Sequence, residues 1–81
     1  IDMEDRIQSE NDIVSGAGTK TVTFTNPFKT ANYAVGITGE NMATGDYFVV
    51  TNKTISNFQV TFYNSSDTAI SRTFDMIAKG Y

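Results

Sequence analysis

The sequence predicts an all-β domain folded as a small antiparallel β-sandwich. Three observations carry that expectation. From Gly18 onward Thr, Asn, Val, Phe and Tyr dominate and strong helix formers become sparse, which is the composition of pleated, half-buried strands. Short stretches there alternate apolar and polar residues with the two-residue period of a strand. Clusters of turn-forming residues separate these stretches at near-regular spacing, as in a sandwich of short strands.

The chain has 81 residues, enough for one domain and too few for two separate cores. It contains no Cys, so neither a disulfide framework nor thiolate chemistry is available. It also lacks His, the commonest general base and metal ligand near neutral pH. No metal, cofactor or catalytic set is therefore expected. A core of this size without staples supplies only about 3–5 kcal/mol, which points to subunit contacts as a further source of stability. The formal charge is -3 and the six basic residues are scattered, unlike a nucleic-acid footprint. No apolar run approaches the roughly 18 residues that span a bilayer, so no membrane insertion is expected. The opening Ile1 reads as a piece of a longer protein with an upstream domain.

Residues 1–17 read as a linker or first strand. Asp2, Glu4, Asp5, Glu10 and Asp12 crowd this stretch against a single Arg6. Met3, Ile7 and Val14 form a faint helical stripe interrupted by Glu10, so a short helical or extended linker is expected, with Ile13 and Val14 entering a short strand. Ser15-Gly16-Ala17-Gly18 stops it, and residues 18–81 form the sandwich.

In order, Thr19 to Thr25 sets Val22 and Phe24 against Thr21, Thr23 and Thr25. Asn26-Pro27 ends this strand, since Pro27 lacks a ladder donor, and Phe28 tucks back under the core. Asn32 to Gly39 alternates Tyr33, Val35 and Ile37 with Ala34, Gly36 and Thr38, the small residues admitting a close neighbour. Gly39 to Gly45 is a loop. Tyr47 to Ile55 follows, apolar on both faces at its start, one face for the core and one for a partner subunit. Phe58, Val60 and Phe62 alternate with Gln59, Thr61 and Tyr63. Asn64 to Thr68 is an exposed turn. In the final strand Phe74, Met76 and Ala78 face one way and Thr73, Asp75, Ile77 and Lys79 the other. An isoleucine between Asp75 and Lys79 on a solvated face marks a surface for another copy of the chain.

The succession Thr21-Val22-Thr23-Phe24, Pro27-Phe28, Tyr33-Ala34-Val35, Phe58-Gln59-Val60-Thr61 and Phe74 through Tyr81 resembles the C-terminal receptor-binding domain of bacteriophage tail fibres and tailspikes. That domain is similar to H-type lectins. The resemblance spans about Gly18 to Tyr81. It implies a six-stranded antiparallel sandwich, a homotrimer at the tip of a virion tail made in the bacterial cytoplasm, and binding of host cell-surface polysaccharide during adsorption. It equally admits a structural module that trimerises or caps a tailspike. The Trp and His common near the sugar of H-type lectins are absent, so no lectin binding residue carries over.

Two loops offer carbohydrate subsites, because sugars need planar amide or carboxylate acceptors beside an aromatic face. Asn41, Asp46 and Tyr47 form one candidate. Tyr63, Asn64 and Asp67 form the other. The same residue types are also ordinary turn chemistry, and both readings stay open. For the trimer interface the candidates are Val49, Asp75, Ile77 and Lys79, with Asp75 and Lys79 pairing to Arg72, Lys53 or a neighbouring subunit. Glycoside hydrolysis needs two carboxylates roughly 5–9.5 Å apart. Beyond the first stretch only Glu40, Asp46, Asp67 and Asp75 are available, mostly in loops and without an apolar setting, so no enzymatic role is expected.

Overall fold

A computed structural model describes residues 6–81, with the backbone alone at Arg6. Among these residues there are seven strands and no helix: β1 (Arg6–Val14), β2 (Thr19–Thr23), β3 (Ala34–Gly39), β4 (Tyr47–Thr51), β5 (Asn57–Tyr63), β6 (Ala69–Ile70) and β7 (Thr73–Gly80). All pairings are antiparallel. One sheet has the order β1-β7-β3 and the other β2-β5-β4, with β6 also on β5. Because β4 already pairs with Phe62 and Tyr63, the two-residue β6 takes the edge of β5 that β2 uses further along. The fold is the expected small antiparallel sandwich, six longer strands plus this short pairing.

Its core sits between the two central strands, and strict alternation puts it there. Phe58, Val60 and Phe62 of β5 and Phe74 and Ala78 of β7 are wholly buried, and Met76 nearly so. Phe62 and Phe74 bring their rings to 5.2 Å across the sheets. At one end of the sandwich Phe24 meets Phe28 and Tyr33 edge-on at 5.0 and 5.1 Å, a favoured quadrupolar arrangement. Phe28 is buried as expected and donates its N–H to the Ile55 carbonyl. The Tyr33 hydroxyl shares its proton between the carbonyls of Thr54 and Asn57, at 2.7 and 2.8 Å. Burial raises its pKa, so it stays a donor.

Three of the alternating stretches are shorter than the sequence implies. β2 ends at Thr23 rather than Thr25, β3 begins at Ala34 rather than Asn32, and β4 ends at Thr51 rather than Ile55, because Asn52 turns the chain at φ 52°, a conformation Asn tolerates.

The main correction concerns the start of the chain. Met3 and the rest of residues 1–5 lie outside the described residues; of the two readings for this stretch the extended one holds, and the strand is longer than Ile13 and Val14, running Arg6–Val14 and pairing with β7. A bulge makes this possible. The register shifts by one between Glu10 and Ile13, with Asp12 at φ 58°, so two residues of β1 oppose one of β7. The shift turns Ile13 inward opposite Phe74 while Glu10, opposite Met76, keeps the same inner face. Gln8 is on that inner face too, opposite Ala78. Its carboxamide donates to the Asn26 carbonyl at 2.6 Å and accepts the Asn26 N–H at 3.3 Å, tying the sheets together.

Truncating the residue that bridges the two central strands tests this account. Phe62→Ala is expected to cost about 3–5 kcal/mol, close to the whole stability of such a domain. Urea denaturation should show the midpoint falling towards zero denaturant, whereas a shift under 1 kcal/mol would show that the core lies elsewhere.

Candidate functional site

The two candidate loops meet at the end of the sandwich away from the aromatic cluster. What lets them meet is Gly45. It has φ 90°, and a Cβ there would stand 2.8 Å from Ser65 Cβ. Only glycine permits both the left-handed backbone and that approach. The register then places Tyr47 directly opposite Tyr63 on the outer face of the β2-β5-β4 sheet. Their rings stack at 5.1 Å and 22°. The Tyr47 hydroxyl donates to Asp67 Oδ1 at 2.6 Å, and this hydrogen bond to a carboxylate raises its pKa. Asp67 itself sits at φ 61° in the turn. Tyr47, 39% exposed, is on the edge strand β4, so among the described residues the ring face turned away from Tyr63 has no strand beyond it.

The other three candidates are engaged by the scaffold. Asn41 accepts the Thr73 N–H at 2.9 Å. Asp46 accepts the Ala43 N–H at 2.8 Å and pairs with Arg72 Nε at 2.8 Å. Its side chain is only 3% exposed. The Ala43 amide first, and the Arg72 guanidinium with it, hold its carboxyl below the usual carboxylate range. Asn64 Oδ1 accepts the amides of Ser66 and Thr68, shaping the turn that presents Asp67. The arrangement left for a ligand is an aromatic stack with a carboxylate at its rim.

The four interface candidates divide between two surfaces. Ile77 lies on the outer face of the β1-β7-β3 sheet, 49% exposed, leaning over Gly36, where a Cβ would come within 3.0 Å of its Cγ2. The small residue does admit a close neighbour. Ile7, also exposed, is diagonal to it across the β1–β7 pair. Asp75 and Lys79 share this face. Val49 does not: it pairs with Thr61 and belongs to the outer face of the other sheet. Neither expected cation serves Asp75, since Arg72 is bound to Asp46 and Lys53 donates to the Tyr33 carbonyl at 2.6 Å. Asp75 instead accepts the Asp12 N–H at 2.9 Å.

That bond belongs to a constellation the sequence does not reveal. Asp12 from the bulge, Glu40 after β3 and Asp75 of β7 bring carboxylate oxygens within 4.8 Å of one another. Three such groups suit a hard cation, though they are at most half of the six to eight oxygens that calcium takes. A side-chain hydrogen bond with Asp12 is the largest influence on Glu40, followed by desolvation and repulsion from Asp12 and by Asp75, and together they raise its pKa to about 7. Asp75 is in the middle of a strand, and only the β1–β7 and β3–β7 registers reveal its neighbours. Compared with models of known protein families, with curated protein sequences and with solved structures, the chain matches none.

The acid cluster fixes a pH dependence. Between about 4.5 and about 7 folded Glu40 keeps a proton that the unfolded chain has lost, so stability falls as pH rises through that window. Asp46 acts in the opposite sense and lower down: its contribution is present above its ordinary value of 3.8 and lost below it. Thermal melts followed by circular dichroism should show a lower Tm at pH 8 than at pH 5. Glu40→Gln should flatten that difference, and an undiminished slope in this variant would place the coupling elsewhere.

Proposed function

We propose that the chain is a glycan-binding module that assembles into a homotrimer, of the kind found at the tips of bacteriophage tail fibres and tailspikes, and that its ligand is host bacterial surface polysaccharide. The observation that carries this reading is the Tyr47–Tyr63 stack with Asp67 at its rim. A pyranose presents a C–H face to an aromatic ring and hydroxyl pairs to a carboxylate, and this site offers one of each on an open surface. A shallow site of this kind binds weakly alone, and three on one assembly gain about 10²–10⁴ by avidity. We assign the module no catalytic step: Asp46 is consumed by Arg72, and Asp12 and Glu40 are exposed.

For the trimer we propose the face that carries Ile77. Ile77 and Val49 point out of opposite sheets, and head-to-tail use of opposed faces propagates a stack instead of closing a ring. Ile77, Ile7, Ala34 and Gly36 share one face, so that side is favoured over Val49.

Titration of the chain with host surface polysaccharides should give saturable binding, with Tyr47→Ala weakening it at least tenfold and leaving the Tm little changed. Binding that survives Tyr47→Ala would move the site elsewhere. No binding at millimolar saccharide with the trimer intact would select the purely structural, capping reading. Light scattering after size exclusion should report a trimer that Ile77→Asp dissociates, and an intact trimer in that variant would exclude this face.

A further inference from the structure

The side of the sandwich where β1 and β2 lie next to each other holds a groove of about 220 Å³, lined by Glu10 and Ile13 on one wall and by Lys20, Thr21, Val22 and Thr23 on the other. Successive residues of a strand point to opposite faces. A groove touching four in succession therefore runs along the backbone edge of β2. The ladder shows what that edge presents. Phe24 gives its N–H to Ser56 O on the β5 side, so in the alternation of antiparallel pairs Val22 and Lys20 also bond towards β5. The N–H and C=O groups of Thr21 and Thr23 point the other way, into the groove, and have no backbone partner among the described residues. Just beyond β2, at Asn26, a neighbour of the same chemistry is already present: the Gln8 carboxamide accepts the N–H and donates to the C=O, as a strand would.

We propose that this groove binds a short extended peptide of another polypeptide by strand addition to β2. Its main chain pairs with Thr21 and Thr23, which are two residues or about 6.6 Å apart. The aliphatic stems of its inward side chains lie over Ile13 and Val22, both buried. Charge specifies the rest. Glu10 and Lys20 are inner-face residues, opposite Met76 and Val60 in their own sheets, and they do not pair with each other. Because β1 and β2 run antiparallel from the 15–18 turn, Lys20 is nearer the turn and Glu10 further along. A peptide antiparallel to β2 thus carries a basic residue first and an acidic residue two positions later. No basic residue of this chain has an acidic residue two positions after it, so the sequence complementary to Glu10 and Lys20 is that of another polypeptide and not of a second copy. The site is independent of the glycan reading and lies away from Tyr47.

The probe is a capped pentapeptide, acetyl-Thr-Lys-Thr-Glu-Thr-amide, titrated into the isotopically labelled chain with amide shifts followed by NMR. Saturable shifts at Thr21 and Thr23 are expected. N-methylation of the central peptide amide should weaken binding at least tenfold, as should Lys20→Glu. The double variant Glu10→Lys/Lys20→Glu should prefer the peptide with Lys and Glu exchanged. No saturable shift with the first peptide overturns the proposal, as does binding indifferent to N-methylation or to charge exchange. A concentration-dependent dimer dissolved by Lys20→Glu, with no peptide bound, would assign the edge to a second copy and overturn it as well.

Discussion

The structure depends on one constraint: β5 and β7, the central strands of the two sheets, must face each other through Phe58, Val60 and Phe62 on one side and Phe74, Met76 and Ala78 on the other. At about 1.5–3 kcal/mol for each fully buried large side chain, these residues dominate what so small a core can supply. Every other strand is placed by pairing with one of these two. β2, β4 and β6 attach to β5, and β1 and β3 to β7. The close Phe62–Phe74 contact fixes how the sheets lie on each other, and with that it decides which loops share an end.

Those shared ends are built differently. One is closed by rings, with Phe24, Phe28 and Tyr33 packed together and the tyrosine hydroxyl satisfied by two carbonyls. The other is held by polar bonds from Asn41, Asp46 and Arg72. Such bonds orient loops without filling volume, and the rings of Phe62 and Phe74 close the core beneath them. Tyr47 and Tyr63 stack on the outer face because they alternate with Phe48 and Phe62 of the inner face, and the loop contacts set Asp67 beside them.

Much of this was legible in the sequence, for a definite reason. β5 and β7 are central, half-buried strands whose alternation is uninterrupted, so their faces could be assigned residue by residue. The two subsite loops could be named, but not their convergence, which needs the pairing of Tyr47 with Tyr63 and the close passage at Gly45. β1 was illegible. Its inner face carries Gln8 and Glu10, its outer face Ile7 and Val14, and a bulge breaks the period between. That pattern inverts a half-buried strand and leaves Ile7 and Val14 spaced as on a helix. Asp12, Glu40 and Asp75 were hidden for the same cause, since their meeting follows from registers and not from spacing.

The inserted residue in β1 explains three features at once. Without it Ile13 would fall on the outer face, since three positions separate it from the inward Glu10 and an unbroken strand alternates. The core would lose a buried contact to Phe74. The same insertion sets Asp12 in a left-handed turn with its N–H on Asp75, which draws it towards Glu40. It also holds both Glu10 and Ile13 on the wall beside β2. The opposite side of the sandwich has no such device: Val35, Ile37 and Val50 pack against the core there, and that side is apolar. A core arranged evenly about β5 and β7 thus acquires one polar, grooved side and one apolar side, and the difference traces to a single extra residue in an edge strand.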